Sequence, residues 1–343
     1  MKAEESMDAL QADLLRFLAS PTISDGIGSL YSWVNKEHPG FIYPEAMGLH
    51  LRLFSVLAAR TRDEALRART DEVAAALARI TPPSGGVGMA GEEFVFDTCM
   101  VIGGLHAYRT KLGGTVDEAL LARVSEFVRT CMEKRQVVVD GGGREPEPVI
   151  HWSRMFGAHM LKTVIALDAL RIITGEGRYA ELIGEVAEQV IRTCRKDGAF
   201  RVGPGQTTVY THAHCYALEG LLYLRKAGLR DETGMLTDGA ERLAGWQNED
   251  GSMFNWQEDP SRDSSRARVG DATSQTVRIW LAVDREKYAG RIERALGFLM
   301  SLKSPSCGLR YATGSEDINI ITSVFAAQAV DWRINGAQPE WLA

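Results

Sequence analysis

Two kinds of helical segment alternate along the chain, and this alternation limits the possible folds more than any other feature of the sequence. Apolar residues recur at i, i+3, i+4 and i+7 over long stretches, whereas strand-like alternation is short and rare. One kind of segment is charged along one face, as in residues 117–134 and 179–195. The other is apolar around most of its circumference and rich in small residues, as in residues 96–108 and 217–224. The pattern predicts an all-α chain with solvated outer helices and buried inner helices.

The buried segments recur at regular intervals of 47–59 residues, each after a charged segment. They are predicted to begin near Pro44, Asp97, Arg154, His212, Asp271 and Ile318. A repeat of this length indicates one helical hairpin used six times. Inner helices of this composition favour a closed ring over an open spiral, because a ring buries each of them between two neighbours and an outer layer. We therefore expect one domain over residues 1–343, an (α/α)6 toroid, that is, a barrel of six helical hairpins.

Glycines in the links between outer and inner segments support the repeat, since glycine readily adopts the left-handed conformation that ends a helix. They lie at Gly26, Gly85, Gly86, Gly141, Gly198, Gly251 and Gly308. The sharpest copy, W-Q-N-E-D-G-S-M-F at 246–254, resembles the glutamine–tryptophan repeats of the terpenoid cyclase and protein prenyltransferase superfamily, whose members are α/α toroids. The segments F-V-F-D-T-C-M-V-I-G-G-L and T-H-A-H-C-Y-A-L-E-G-L-L are similar to uncharacterised bacterial toroid proteins associated with polysaccharide biosynthesis.

Composition excludes several classes of partner. The formal net charge is −6 and Lys and Arg are not clustered, which argues against a nucleic-acid partner. No stretch of 18 apolar residues occurs, so no membrane partner is expected. Five cysteines, odd in number and far apart, are typical of reduced thiols. Together with an acidic N-terminal segment unlike a signal peptide, they predict a cytoplasmic protein that acts on a small molecule or an oligosaccharide.

In a ring of hairpins, the N-terminal ends of the inner helices meet at one opening, which we call the mouth. Polar residues precede or begin every inner segment. The predicted catalytic residues are His212, Asp97, Glu45 and Asp271. The predicted substrate-binding residues are Tyr43, His151, Trp152, Arg154, Tyr210, His214, Tyr216, Glu219, Gln275, Arg278, Asp317 and Asn319. Helix capping is an equal alternative for any single acid in the first turn, because Asp, Ser and Thr are favoured at helix starts.

Two polar stripes continue deeper along the inner segments. Ser274, Gln275 and Arg278 follow Asp271 at helical spacing, and Tyr216 and Glu219 follow His212. A polar stripe on a buried helix is costly unless it lines a wet cavity or forms a satisfied network. We favour the wet cavity. Its mixture of acids, histidines, arginines and tyrosines is typical of a carbohydrate-binding active site that uses general acid and base catalysis, as in a hydrolase, lyase or epimerase. Six helix N-termini and two arginines also favour an anionic sugar.

No cofactor or metal is expected, although two rival functions remain open. Asp97, Cys99 and either His212 or His214 are similar to the zinc ligands of protein prenyltransferases, but Ala213 stands where that family has its zinc histidine. The chain also lacks the D-x-D-D motif of class II terpene cyclases. The first rival is thus a terpenoid-cyclase-like or prenyltransferase-like enzyme, with or without zinc. The second is a non-catalytic binding protein that uses the same pocket.

Overall fold

The computed structural model of the chain describes residues 2–140, 152–258 and 266–343. These residues form twelve α-helices in two layers. The outer layer contains α1 (Lys2–Ala19), α3 (Glu64–Ile80), α5 (Glu118–Glu133), α7 (Gly177–Cys194), α9 (Thr233–Trp246) and α11 (Ala289–Ser301). The inner layer contains α2 (Pro44–Thr61), α4 (Val95–Leu112), α6 (Val164–Thr174), α8 (Thr211–Lys226), α10 (Gly270–Asp284) and α12 (Ile320–Asn335).

The inner helices form a closed ring. Each contacts the next in chain order, and α12 returns to contact α2. Every outer helix packs on an inner helix, and the apolar side chains between the two layers form one continuous core. The predicted (α/α)6 toroid is confirmed. In this ring α4 lies opposite α10, and α2 lies opposite α8.

The third inner helix begins later than the sequence predicts. Arg154 lies on an isolated 3-10 turn, Trp152–Arg154, and the inner helix starts as a 3-10 helix over Ala158–Thr163 that continues into α6. Gly157 separates the two in an extended conformation, with φ −107° and ψ −167°. A Cβ atom on Gly157 would lie 2.0 Å from the carbonyl oxygen of Val202, so the chain passes too close to its neighbour there for any larger residue.

Short antiparallel strands tie together the loops that lead into the inner helices. The pairs are β1 (Trp33–Val34) with β10 (Ile318–Asn319), β2 (Glu92–Phe94) with β3 (Val138–Asp140), β4 (Arg195–Lys196) with β5 (Ala199–Phe200), β6 (Val209–Tyr210) with β8 (Trp256–Gln257), and β7 (Met253–Phe254) with β9 (Arg268–Val269). Strands β2, β6, β9 and β10 run directly into α4, α8, α10 and α12. These pairings fix the positions of the helix starts around the mouth.

Glycines let the inner helices approach each other closely. A Cβ on Gly104 of α4 would lie 2.5 Å from the carbonyl oxygen of Gly48 on α2. A Cβ on Gly220 of α8 would lie 2.3 Å from the carbonyl oxygen of Leu161. The small residues of the inner segments therefore allow the backbones of neighbouring helices to touch, which a tightly closed ring requires.

The predicted role of the link glycines is confirmed at four positions. A positive φ occurs at Gly26, Gly85, Gly198 and Gly251, with values from 77° to 90°. In the last link the left-handed residue is Cys307, with φ 75°, rather than Gly308. Gly308 is instead required for space, because a Cβ there would lie 2.5 Å from the ring of Phe17. Gly141 lies outside the described residues.

Candidate active site

The four predicted catalytic residues lie at the starts of four inner helices. Glu45 is on α2, Asp97 on α4, His212 on α8 and Asp271 on α10, each at the second or third position of its helix. All four are nearly buried, with 4–7% of their surface exposed. The ring therefore brings together, at one end, side chains that are far apart in the sequence.

Glu45 is held by two tyrosines. Tyr43 donates a short hydrogen bond to Oε2, and Tyr216 donates from across the ring to Oε1 at 2.8 Å. Burial raises the pKa of Glu45, while these two donors and the charge of Lys162 oppose that rise. Both oxygens of the carboxylate thus have a donor, which favours the ionised form of Glu45.

The surroundings of Asp97 favour its protonated form. Burial, followed by repulsion from Glu45, holds its pKa well above the ordinary range. Its Oδ2 has no hydrogen-bond partner among the described residues. Two neighbouring carboxyls in a buried site share one proton, and the tyrosine donors on Glu45 leave that proton on Asp97. Asp97 is accordingly a carboxylic acid able to donate a proton to a ligand.

His212 and Asp271 form a second pair on neighbouring helices. Nδ1 of His212 lies 3.5 Å from Oδ2 of Asp271. Burial, followed by the charge of Lys162, lowers the pKa of His212 to about 3, so the imidazole is neutral. Burial also raises the pKa of Asp271 to about 7, with a smaller contribution from Glu45. Asp271 therefore changes protonation near neutral pH, where a general base is most effective.

Aromatic rings surround these polar groups. Tyr210 packs on Trp256 at 4.6 Å between ring centroids and lies edge-on to His212 at 6.0 Å. On another side of the mouth, the ring of Phe41 lies 5.4 Å from Trp33 and 5.2 Å from Tyr43. The mouth thus combines acids with half-exposed aromatic side chains, the mixture that suits a sugar ring.

The floor of the mouth is aromatic. Tyr216 packs against Phe96 at 4.9 Å and against Phe325 at 6.2 Å between centroids, and all three rings are almost completely buried. Lys162 lies beneath this floor, with Nζ 4.5 Å from the centroid of Tyr216. Arg278 lies under Phe325 at 4.2 Å. The charged groups packed against these rings are therefore closed off from solvent.

Below the floor, the deeper polar stripes form a bonded network. Glu219 pairs with Arg278 and, at 2.9 Å, with Lys162, and all three side chains are at most 1% exposed. Gln275 donates to Glu219 at 3.3 Å, and Arg278 also bonds to Gln328. The interpretation of Glu219, Gln275 and Arg278 as the lining of an open wet cavity is wrong, because all three side chains are fully buried and bonded to one another. Gln275 also forms a hydrogen bond with His212 at the mouth. Tyr216 has the same full burial, but its hydroxyl reaches Glu45 at the mouth.

His214 does not face the mouth, and its predicted place there is wrong. Its Nδ1 accepts from the amide of Phe200 at 3.0 Å, and its ring lies edge-on to Trp246 at 5.2 Å. The side chain is fully buried and points toward α9, near the carbonyl oxygen of Gly239. Two positions beyond His212 on a helix, His214 is turned to the outer side of the ring.

The remaining predicted contacts are placed around the rim. Asn319 caps α12 by accepting from the amide of Thr322 at 2.8 Å. Asp317 accepts from Asn35 at 2.8 Å. Arg154 forms an ion pair with Glu92 at 2.7 Å, just before α4. Their contact with a substrate stays a prediction. His151 and the side chain of Trp152 lie outside the described residues.

Sequence reasoning missed two groups beside the site. Lys162 is a lone charge within the apolar run A-H-M-L-K-T-V-I-A-L, and that isolation was a signal of a buried, paired lysine. Burial lowers its pKa to about 8. Tyr311 shares a side-chain hydrogen bond with Tyr210 and lies close enough to Asp271 to interact with its charge. No repeat or motif in the sequence points to Tyr311, because the loop that carries it joins the site only in the folded ring.

Within the described parts of the chain, no three His, Cys, Asp or Glu side chains converge in a way that could hold a metal ion. Cys99, one of the considered zinc ligands, is fully buried, and burial raises its pKa. Among the helices of residues 2–140, 152–258 and 266–343, none is long and apolar enough to cross a bilayer.

Comparison with known proteins identifies the fold. No family model matches the chain, and no curated protein matches it. Among solved structures, it is similar to an unsaturated glucuronyl hydrolase from Bacillus sp. GL1, with a TM-score of 0.70, 14% identity, and 98% of each chain covered. It is also similar to cellobiose 2-epimerase from Bacillus thermoamylovorans B4167, with a TM-score of 0.73, 13% identity, and coverage of 96% of this chain and 100% of that one. A sugar epimerase from a ruminal bacterium gives 0.72 at 11% identity, over 97% and 100% of the two chains.

At such low identities the likeness shows the fold. The class of protein is thus an (α/α)6 toroid with an acid–base cluster at the mouth of its ring.

Proposed function

We propose that this chain is an enzyme that acts on a carbohydrate by general acid and base catalysis, of the hydrolase or epimerase type. One observation carries the proposal. Asp97, whose pKa burial raises well above its ordinary range, and Asp271, whose pKa burial raises to about 7, lie at the starts of the two inner helices that are opposite each other in the ring. A sugar ring between them would have a proton donor on one side and a proton acceptor on the other.

Asp97 is the proposed acid. Its unpartnered Oδ2 would donate to the sugar, either to the bridging oxygen of a glycosidic bond or to the carbon next to the carbonyl group of an open-chain sugar. Glu45 stays ionised beside it and keeps the proton on Asp97 before the reaction. Tyr43 and Tyr216 stabilise the charge on Glu45, so Glu45 does not compete with the sugar for the proton of Asp97.

Asp271 is the proposed base, with His212 as its positioning partner. In a hydrolase, Asp271 would take a proton from water as the water attacks the anomeric carbon, and the proton of Asp97 would leave with the departing sugar. In an epimerase, Asp271 would take a proton from the carbon next to the carbonyl group of an open-chain sugar, and Asp97 would give its proton to the opposite face of that carbon, which completes the inversion. Both reactions use the same pair of groups, and both occur in the names of the similar toroids.

The test is turnover in deuterated water by the purified chain on a panel of neutral and uronate-terminated disaccharides. Release of reducing sugar indicates hydrolysis, and deuterium next to the carbonyl carbon indicates epimerisation. We expect Asp97→Asn and Asp271→Asn to lower the rate by about 10²–10⁴-fold. Asp63→Asn is the matched control, because Asp63 only caps α3 and asparagine caps equally well. Undiminished turnover in either site variant would contradict the assignment.

The two rival functions have less support. A zinc-dependent or prenyl-handling enzyme would need His214 at the mouth or a wider set of metal ligands, and metal analysis together with a prenyl diphosphate assay would reveal it. A binding protein would hold a sugar without any turnover. The cytoplasmic location and the association with polysaccharide biosynthesis stay predictions that fractionation of cells and genetic context would test.

A further inference from the structure

The sequence suggested an anionic ligand because six helix N-termini and two arginines were expected at the mouth. In the structure both are already paired with carboxylates. Arg278 is fully buried against Glu219, beneath the aromatic floor. Arg154 pairs with Glu92 at 2.7 Å. Each of the two arginines is therefore already paired within the protein before any ligand arrives.

The polar groups that face the ligand have the opposite character. Glu45, Asp97 and Asp271 approach from three inner helices, and each is at most 6% exposed. Glu45 lies close enough to Asp97 and to Asp271 for its charge to raise the pKa of each of them. The hydroxyls of Tyr43 and Tyr216 are already donated to Glu45. A carboxylate brought into this group would meet like charge.

From this charge distribution we infer that the site accepts a neutral sugar unit between Asp97 and Asp271 and rejects a uronate, with Glu45 and Asp271 as specificity-determining residues. The inference rests on the proposed function and names its substrate class. Hydroxyl groups of a neutral pyranose can accept a proton from Asp97 and donate to Asp271 or Glu45. A uronate would add a negative charge that none of these groups can pair.

The size of the discrimination follows from simple electrostatics. At an effective dielectric constant of about 20, like charges about 4 Å apart cost roughly three decades of affinity. Partial protonation of Asp271 and rearrangement of water would reduce that figure. We expect a neutral sugar to bind at least about 100-fold more tightly than the same sugar with one carboxylate.

Calorimetric titration with cellobiose and cellobiouronic acid tests this inference, because the two disaccharides share a linkage and differ by one carboxylate. The expected result is tighter binding of cellobiose by at least about 100-fold, with the ratio reduced about tenfold in Asp271→Asn and in Glu45→Gln. Asp63→Asn should leave the ratio unchanged. Equal or tighter binding of the uronate by the wild-type chain would overturn the inference and leave the proposed function intact. Failure of both sugars to bind or react would overturn the two together.

Discussion

Replacing Glu219 by glutamine tests the buried network beneath the mouth. Glu219 is the carboxylate that pairs with Lys162 and Arg278, and all three side chains are at most 1% exposed. Glutamine keeps the shape but removes the side-chain carboxylate that pairs with both buried cations, which then retain their shared acceptor on Ala343 and, for Arg278, Gln328. Breaking a buried ion pair in this way costs about 3–5 kcal/mol in the free energy of unfolding. Lys162, whose pKa burial already lowers to about 8, limits the loss because it can release its proton near neutral pH.

Urea denaturation followed by circular dichroism measures the effect. With a denaturant slope of about 3 kcal/mol/M, the midpoint of the Glu219→Gln variant should fall by about 1–2 M. Removing the second charge in the double variant Glu219→Gln, Lys162→Met should restore part of the loss, because the two sites interact directly. Glu126→Gln breaks an exposed ion pair with Arg129 and should leave the midpoint unchanged. A single variant as stable as the wild type would refute the interpretation that Glu219 balances the buried cations.

Two further changes should alter stability in opposite ways. The pKa of Asp271 is raised to about 7 in the folded chain, so its stabilising contribution is complete below about pH 4 and is lost as the pH rises through 7. Asp271→Asn should remove this pH dependence and raise the free energy of unfolding at pH 8 by on the order of 2–4 kcal/mol, measured by urea denaturation across pH. Gly104→Ala should cost about 1–3 kcal/mol because its Cβ would lie 2.5 Å from a carbonyl oxygen of α2, whereas Gly184→Ala on outer helix α7 has free space and should be neutral or stabilising in a thermal melt.

The architecture could be predicted from the sequence because helical periodicity and small residues act locally and repeat six times. Five of the six inner helices begin within two residues of the predicted position. The exception depends on Gly157 passing close to Val202, a contact between loops that no periodicity encodes. The fold of a repeat protein can thus be predicted largely from its sequence pattern, but the exact start of each helix depends on contacts with neighbouring segments.

The site was predicted less completely, because helical spacing gives the face of a side chain and not its depth. His212 and Glu219 share one stripe on α8, yet His212 reaches the mouth and Glu219 is sealed beneath an aromatic floor. The floor itself comes from Phe96 and Phe325 on other helices, which the spacing on α8 cannot reveal. His214 was predicted at the mouth because it is close to His212 in the sequence. On the helix, however, the two side chains point in nearly opposite directions, and His214 faces the outer layer.

The most direct measurement for the account as a whole is a crystal structure of the chain soaked with cellobiose. The account predicts a sugar ring between Asp97 and Asp271, within hydrogen-bond distance of both carboxyls and in contact with the aromatic rim near Tyr210. Sugar bound only elsewhere, for example in the rim cleft between Lys36 and Arg310, would contradict it.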